Sequence, residues 1–116
     1  MAIIQITDLT LNTIIGTNSW ERTTKQKVVI NITLEYNSTQ AVAGDDLTKA
    51  VDYKSITKKI IAGVKKSRFF LLEKLTAYVL KILIETPGVN EATVRIDKPK
   101  ALRFSKSVSV ELSSRH

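Results

Sequence analysis

Gln26-Lys27-Val28-Val29-Ile30-Asn31-Ile32-Thr33-Leu34-Glu35-Tyr36 is the stretch on which the fold turns. Val28, Ile30, Ile32 and Leu34 fall on one side of an extended chain, and Val29, Asn31, Thr33 and Glu35 on the other. Such a strand has one apolar face, which must be covered, and one mostly wet face.

The flanking segments supply the cover. Upstream, Ile4, Ile6 and Leu11 alternate imperfectly, with Asp8 as an interruption and Gly16 as an end, which predicts a strand carrying a bend or bulge. Gly16 to Gln26 is a polar connection that places Trp20 and Glu21 on a loop. Downstream, Asn37 to Asp46, with Gly44, reads as another loop. From about Tyr53 the period changes. Ile56, Ile60 and Val64, with Ile61 beside them, mark one stripe of an amphipathic helix ending near Arg68. Leu72, Leu75, Val79, Ile82 and Leu83 mark a second helix, closed by Pro87-Gly88. Two more strands follow, Ala92 to Asp97 and Ser107 to Ser113, the latter alternating through Val108, Val110 and Leu112. The order ββααββ predicts an α+β domain spanning 1–116: a four-stranded antiparallel sheet with both helices on its apolar face. Helices on one face cover neither sheet edge, so oligomerisation by edge pairing is expected. The polar face, with Asn31, Thr33, Glu35 and Ser109, would then line something wet.

Composition narrows the chemistry. The chain has 116 residues, 43% of them hydrophobic, enough for one core and too few for a second domain. There is no cysteine and a single histidine, His116, so thiol chemistry is excluded and a histidine-based metal or catalytic site nearly so. Any catalysis falls to Lys, Glu, Asp, Tyr or Ser/Thr. No basic segment followed by a long apolar stretch opens the chain, and no apolar run reaches the roughly 18 residues of a membrane span, so a soluble, cytoplasmic protein is expected. The net charge of +7 suits an anionic partner. Its densest cluster, Lys54, Lys58, Lys59, Lys65, Lys66 and Arg68, fits either a solvated helix face or contact with nucleic-acid phosphates. With one Trp, three Tyr, three Phe and no nucleic-acid-binding motif, the second is the weaker reading.

Several stretches, taken in order, carry a resemblance. They are Ile15-Gly16 with Glu21 five residues on, Lys25-Gln26-Lys27-Val28, Asp45-Asp46-Leu47, Val51-Asp52-Tyr53, Arg68-Phe69-Phe70-Leu71-Leu72-Glu73, and Asp97-Lys98-Pro99. Together they resemble the dihydroneopterin aldolase family, which includes dihydroneopterin triphosphate 2'-epimerase. The resemblance implies the tunnelling fold, in which sheets join edge to edge into a wide β-barrel, as a homo-oligomer of four or eight subunits with a pterin pocket between neighbours. It implies that Glu73 anchors the pterin through paired hydrogen bonds, that Leu72 and Val51 help bind it, and that Lys98 transfers protons. Glu21 would stand near Lys98, and Tyr53 would come from the partner subunit. Neither a cofactor nor a metal is implied, because the pterin's own C6=N5 imine accepts the electrons of the breaking bond. A lysine of ordinary pKa about 10.4 is protonated at neutral pH; a desolvated pocket favours its neutral, basic form, and Glu21 opposes that. Taken singly, each residue has a plainer reading: Lys98 a solvated strand end before Pro99, Glu21 a loop carboxylate, Tyr53 an interface or core tyrosine, Glu73 a carboxylate at a helix start.

The chain divides between two branches of that family. Ser55 to Ile61, Leu71 to Thr76, Lys98 to Phe104 and Ser107 to Ser109 look closer to the epimerases, whereas Trp20-Glu21-Arg22 and Lys25-Gln26-Lys27 look more like the aldolases. The balance leans to epimerisation at C2' of 7,8-dihydroneopterin triphosphate, with dihydroneopterin aldolase as the alternative.

Overall fold

The alternating run becomes β2 (Gln26–Tyr36), the second of four antiparallel strands, in the computed structural model of the chain, which describes Met1 to His116. The others are β1 (Ala2–Thr13), β3 (Val89–Pro99) and β4 (Ser107–Arg115), and the sheet order β1-β2-β3-β4 leaves β1 and β4 as edges. Val28, Ile30 and Leu34 are fully buried and Ile32 nearly so, while Val29, Asn31, Thr33 and Glu35 are half-exposed. The predicted irregularity in β1 is a bulge: its register against β2 shifts between Ile6 and Leu9. Asp8 adopts a left-handed φ of 55° there. It is pinned by Asn31, whose Oδ1 accepts from the Asp8 N–H at 3.0 Å and whose Nδ2 donates to Asp8 Oδ1 at 3.2 Å.

The helical layer starts with a segment expected to be loop. Thr39–Gly44 forms a short helix, α1, with no buried residue. Local bonds sustain it: Asn37 Oδ1 accepts from the Thr39 N–H at 3.1 Å, and Asp45 closes it in a left-handed conformation with φ 49°. α2 (Tyr53–Lys66) is capped by Asp52, which accepts from the N–H groups of Lys54 and Ser55, each at 3.1 Å. It buries Ile56, Ile60 and Val64, and its lysines stay exposed. α3 (Leu72–Ile84) buries Leu75, Thr76, Val79, Ile82 and Leu83, and Leu72 at its start is half-buried. α3 lies over β3 and β4, and α2 over β1. A Cβ on Gly63 would collide with the Tyr78 hydroxyl, so glycine there leaves room for that side chain between the two helices. No helix is long and apolar enough to cross a membrane.

Both terminal strands outrun their expected limits. β3 begins at Val89, directly after the Pro87-Gly88 turn, and β4 continues to Arg115. Lys98 and Pro99 therefore lie within β3, opposite Val108 and Ser107 of β4. The ladder between β3 and β2 stops earlier, at Asp97 opposite Val29. Pro99 thus sits where β2 no longer asks for an N–H, as a strand proline must.

Candidate active site

Two core-facing rows run out of apolar residues at the same end of the sheet. On β3, the buried row Ala92, Val94, Ile96 is continued by Lys98; on β2, the buried row Leu34, Ile32, Ile30, Val28 is continued by Gln26. Strand alternation therefore aims an ammonium and a carboxamide towards the helix side, where polar groups are costly unless paired. Glu21 meets both. It lies in a short 3-10 turn, Ser19–Arg22, between β1 and β2, and retains only 4% of its exposure. Its Oε2 accepts from Lys98 Nζ in a close ion pair and from Gln26 Nε2 at 2.9 Å, and its Oε1 accepts from the Asn18 N–H at 3.1 Å. Gln26 Nε2 also donates to the Ile15 carbonyl at 2.7 Å, which fixes the amide's direction.

Burial pushes the Glu21 carboxyl up, but hydrogen bonds from Lys98, Gln26 and Asn18, with the Lys98 charge, prevail and hold it at about 2. Glu21 is therefore ionised throughout the neutral range. Space for its carboxylate is made at Gly16, where a Cβ would fall on top of it and where φ is 121°.

Arg22 holds the turn against the helical layer. Its Nη1 donates to the carbonyls of Gly16 at 2.8 Å and Phe69 at 3.0 Å, and its guanidinium stacks 4.0 Å from the centre of the Phe70 ring. Arg68 returns a bond to the Arg22 carbonyl at 2.9 Å. Beneath, Thr13 Oγ1 donates to the Val64 carbonyl at 2.6 Å, joining the end of β1 to the end of α2.

The pair opens into a cavity of about 310 Å³, walled by Trp20, Phe70, Leu71 and Leu72 and rimmed by Lys100. Of the six expected site residues, the fold brings Lys98, Glu21 and Leu72 together here. Glu73 follows directly as an exposed carboxylate in the first turn of α3, where it also complements the helix dipole. Tyr53 and Val51 line a different cavity, of about 530 Å³, at the start of α2 with Lys54 and Lys58. Gln26, Asn18 and Arg22 had been given no role from sequence. For Gln26 the signal was present: it is the next step of an apolar row and it is polar. For Asn18 and Arg22, whose contacts depend on how a loop folds back, there was none.

The family model described as dihydroneopterin aldolase (FolB) matches residues 4–113. The chain is 45% identical over 113 residues to the dihydroneopterin triphosphate 2'-epimerase of Pseudomonas aeruginosa, covering 97% of this chain and 92% of that protein. Against the dihydroneopterin aldolase of Escherichia coli the identity is 28% over 110 residues, covering 95% and 90%. The crystal structure of the E. coli aldolase in complex with neopterin matches this fold with a TM-score of 0.92 at 27% identity, over 98% of this chain and 99% of that one.

Proposed function

The chain belongs to the dihydroneopterin aldolase family, and on that premise we propose that it is a pterin side-chain retro-aldol enzyme. Its main reaction is inversion at C2' of 7,8-dihydroneopterin triphosphate, giving dihydromonapterin triphosphate. One observation carries the choice of branch: 45% identity to an epimerase against 28% to an aldolase, each over nearly the whole chain.

The chemistry asks for little beyond positioned proton carriers. Loss of the proton on the 2'-hydroxyl lets the C1'–C2' bond break, and its electron pair flows into C6=N5, where a proton is taken up. A two-carbon aldehyde is left, still carrying the phosphates. If it turns and is recaptured through its other face, the electron pair returns to form C1'–C2', N5 gives up its proton, the new 2'-oxyanion takes one up, and C2' is inverted. If the pterin is protonated at C1' instead, N5 gives up its proton to restore C6=N5, the aldehyde leaves and the reaction is an aldol cleavage. Lys98 is the proton carrier in this scheme, working directly or through water, and the ionised Glu21 holds its ammonium and orients hydroxyls and water. Glu73 anchors the pterin by accepting from its amino group and N3–H with two oxygens, and Leu72 and Val51 flank the ring. Exposure of Glu73 next to cavity-lining Leu72 supports that placement.

Tyr53 and Val51 enter from the partner subunit, which accounts for a separate half-pocket in a single chain. The shape of the chain supports assembly into a ring. It measures 52 × 26 × 21 Å with a radius of gyration of 15.5 Å, where a compact domain of this length has about 13 Å. It exposes 7512 Å², where a monomer of this mass exposes about 6,300 Å². Edges β1 and β4 are the surfaces for joining, into a cytoplasmic tetramer or octamer whose barrel is lined by the polar sheet face.

The aldolase reading stays in play through the shared bond-breaking step. Purified protein incubated with dihydroneopterin and with its triphosphate, followed by chromatography, separates the two. Inversion of the triphosphate in excess of glycolaldehyde release is expected; cleavage of the unphosphorylated pterin as the dominant reaction assigns the chain to the aldolases. Light scattering at assay concentration should show a ring-sized particle, and an active monomer would refute the shared site.

A further inference from the structure

With Glu21 committed to Lys98, the cavity keeps one uncompensated charge, that of Lys100. Lys100 opens the turn between β3 and β4, and its N–H donates to the Lys106 carbonyl at 3.0 Å to close that turn. The turn also carries Arg103 and Lys106, and no acidic residue occurs from Lys98 to Lys106. The nearest acid, Asp97, is occupied by Arg95 at 3.0 Å and by the Ser107 hydroxyl at 2.8 Å. None of the ion pairs of the chain, Lys81–Glu85, Arg95–Asp97 and Lys98–Glu21, includes a cation of the turn.

The backbone adds an independent observation. Lys100 has a left-handed φ of 60°, and Phe104 in the same turn has 68°. A non-glycine residue in that region costs roughly 1–2 kcal/mol, which glycine would relieve. A lysine at this φ holds a conformation that its backbone does not prefer. The same φ turns the chain out of the strand pleat, so that Lys100 is exposed at the rim of the cavity while Lys98 is half-buried within it. On the other side of the turn, Lys106 borders a groove of about 350 Å³ on the polar sheet face, together with Lys27, Arg95, Asp8 and Asp97.

We propose that Lys100 selects the phosphorylated pterin: its ammonium binds the phosphate chain borne on C3' at the rim of the cavity. This rests on the retro-aldol reading and deepens it. The reacting carbons C1' and C2' must lie at Lys98, and C3' is one bond further on, so the phosphates start where the cavity meets its rim. A polyanion there meets the unpaired Lys100 ammonium on a turn that carries no carboxylate.

Lys100→Gly is the informative variant, because it removes the charge and relieves the backbone at once. Wild type, Lys100→Gly and Lys100→Arg are compared by kcat/KM on dihydroneopterin triphosphate and on dihydroneopterin, and by calorimetric titration with inorganic triphosphate. The preference for the phosphorylated substrate should fall about ten- to a hundredfold in Lys100→Gly, the range of one lost charge-assisted contact, with Tm unchanged or raised. Lys100→Arg should retain most of the preference, and inorganic triphosphate should bind wild type and Lys100→Arg but not Lys100→Gly. Equal losses on both substrates, or equal binding of inorganic triphosphate by wild type and Lys100→Gly, overturn the assignment. A wild type that turns over neither pterin sinks the retro-aldol reading instead, and the titration still decides whether Lys100 is a phosphate-binding residue.

Discussion

Two ion pairs engage residues of β3 within four positions and face opposite sides of the sheet. Arg95–Asp97 lies on the polar face, with half of the Arg95 side chain exposed; Lys98–Glu21 lies on the helix face, with side-chain exposures of 14% and 6%. The first is screened by water and belongs to the class that contributes at most about 1 kcal/mol. The second has surrendered most of its hydration, a loss the ionic attraction alone seldom offsets. It is supported instead by a carboxamide, a backbone N–H and a glycine that clears space for the carboxylate. Stability would have been served as well by an apolar residue at the end of each row. What the buried pair provides, and the exposed one does not, is a cation held largely out of water beside a cavity.

Removing Lys98 tests that contrast most severely. In Lys98→Ala, turnover should fall by at least about a hundredfold while pterin binding changes far less, and inversion and cleavage should fall together because they share the bond-breaking step. Inversion persisting near the wild-type rate with cleavage lost would mean that Lys98 serves only the later protonation. Next comes Glu73, proposed as the pterin anchor, which stands outside the pair. Glu73→Gln should weaken neopterin binding by about 2–3 kcal/mol in a folded protein, since one of two charged acceptors becomes a misplaced donor. Fluorescence titration checks this, and unchanged affinity would confine Glu73 to the start of α3.

The pH dependence of the pair is a third test. The Glu21 carboxyl sits at about 2 in the folded chain against 4.5 ordinarily, so the unfolded chain takes up that proton first as the pH falls. The stabilisation due to this charge is complete above 4.5 and disappears between there and about 2. The stability difference between wild type and Glu21→Gln, followed by urea midpoints, should shrink across that window; a constant difference would contradict the shift. The smallest effect belongs to the polar face. Arg95→Ala should cost less than about 1 kcal/mol in urea unfolding and lose even that in high salt. A larger, salt-insensitive loss would put the two pairs in one class.

Sequence periodicity revealed the frame because the frame is periodic. β2 was legible to its ends, as were the bulge at Asp8 and the apolar stripes of α2 and α3. α1 was not, since Thr39–Gly44 buries nothing and leaves no stripe. The early start of β3 at Val89 was hidden because the strand begins within the Pro87-Gly88 punctuation itself. At the site, Lys98, Glu21 and Leu72 were named through family resemblance; where the two apolar rows end accounts for Lys98 and Gln26, which Glu21 meets from its turn. Asn18 contributes a backbone N–H and Arg22 binds loop carbonyls, contacts available to any residue or any arginine until the loop has a shape. Tyr53 and Val51 line a cavity of their own at the start of α2, apart from the pair.

Glu21 and Lys98 are 77 positions apart, and both helices lie between them. The hairpins β1–β2 and β3–β4 close short loops and form early, whereas β2 meets β3 only after the intervening helical segment has been drawn in. The pair lies beyond the last rung of that ladder, at Asp97 opposite Val29, so its two charges meet only when the slowest closure is finished. The Lys98–Glu21 contact is therefore among the last that this topology allows a refolding chain to make.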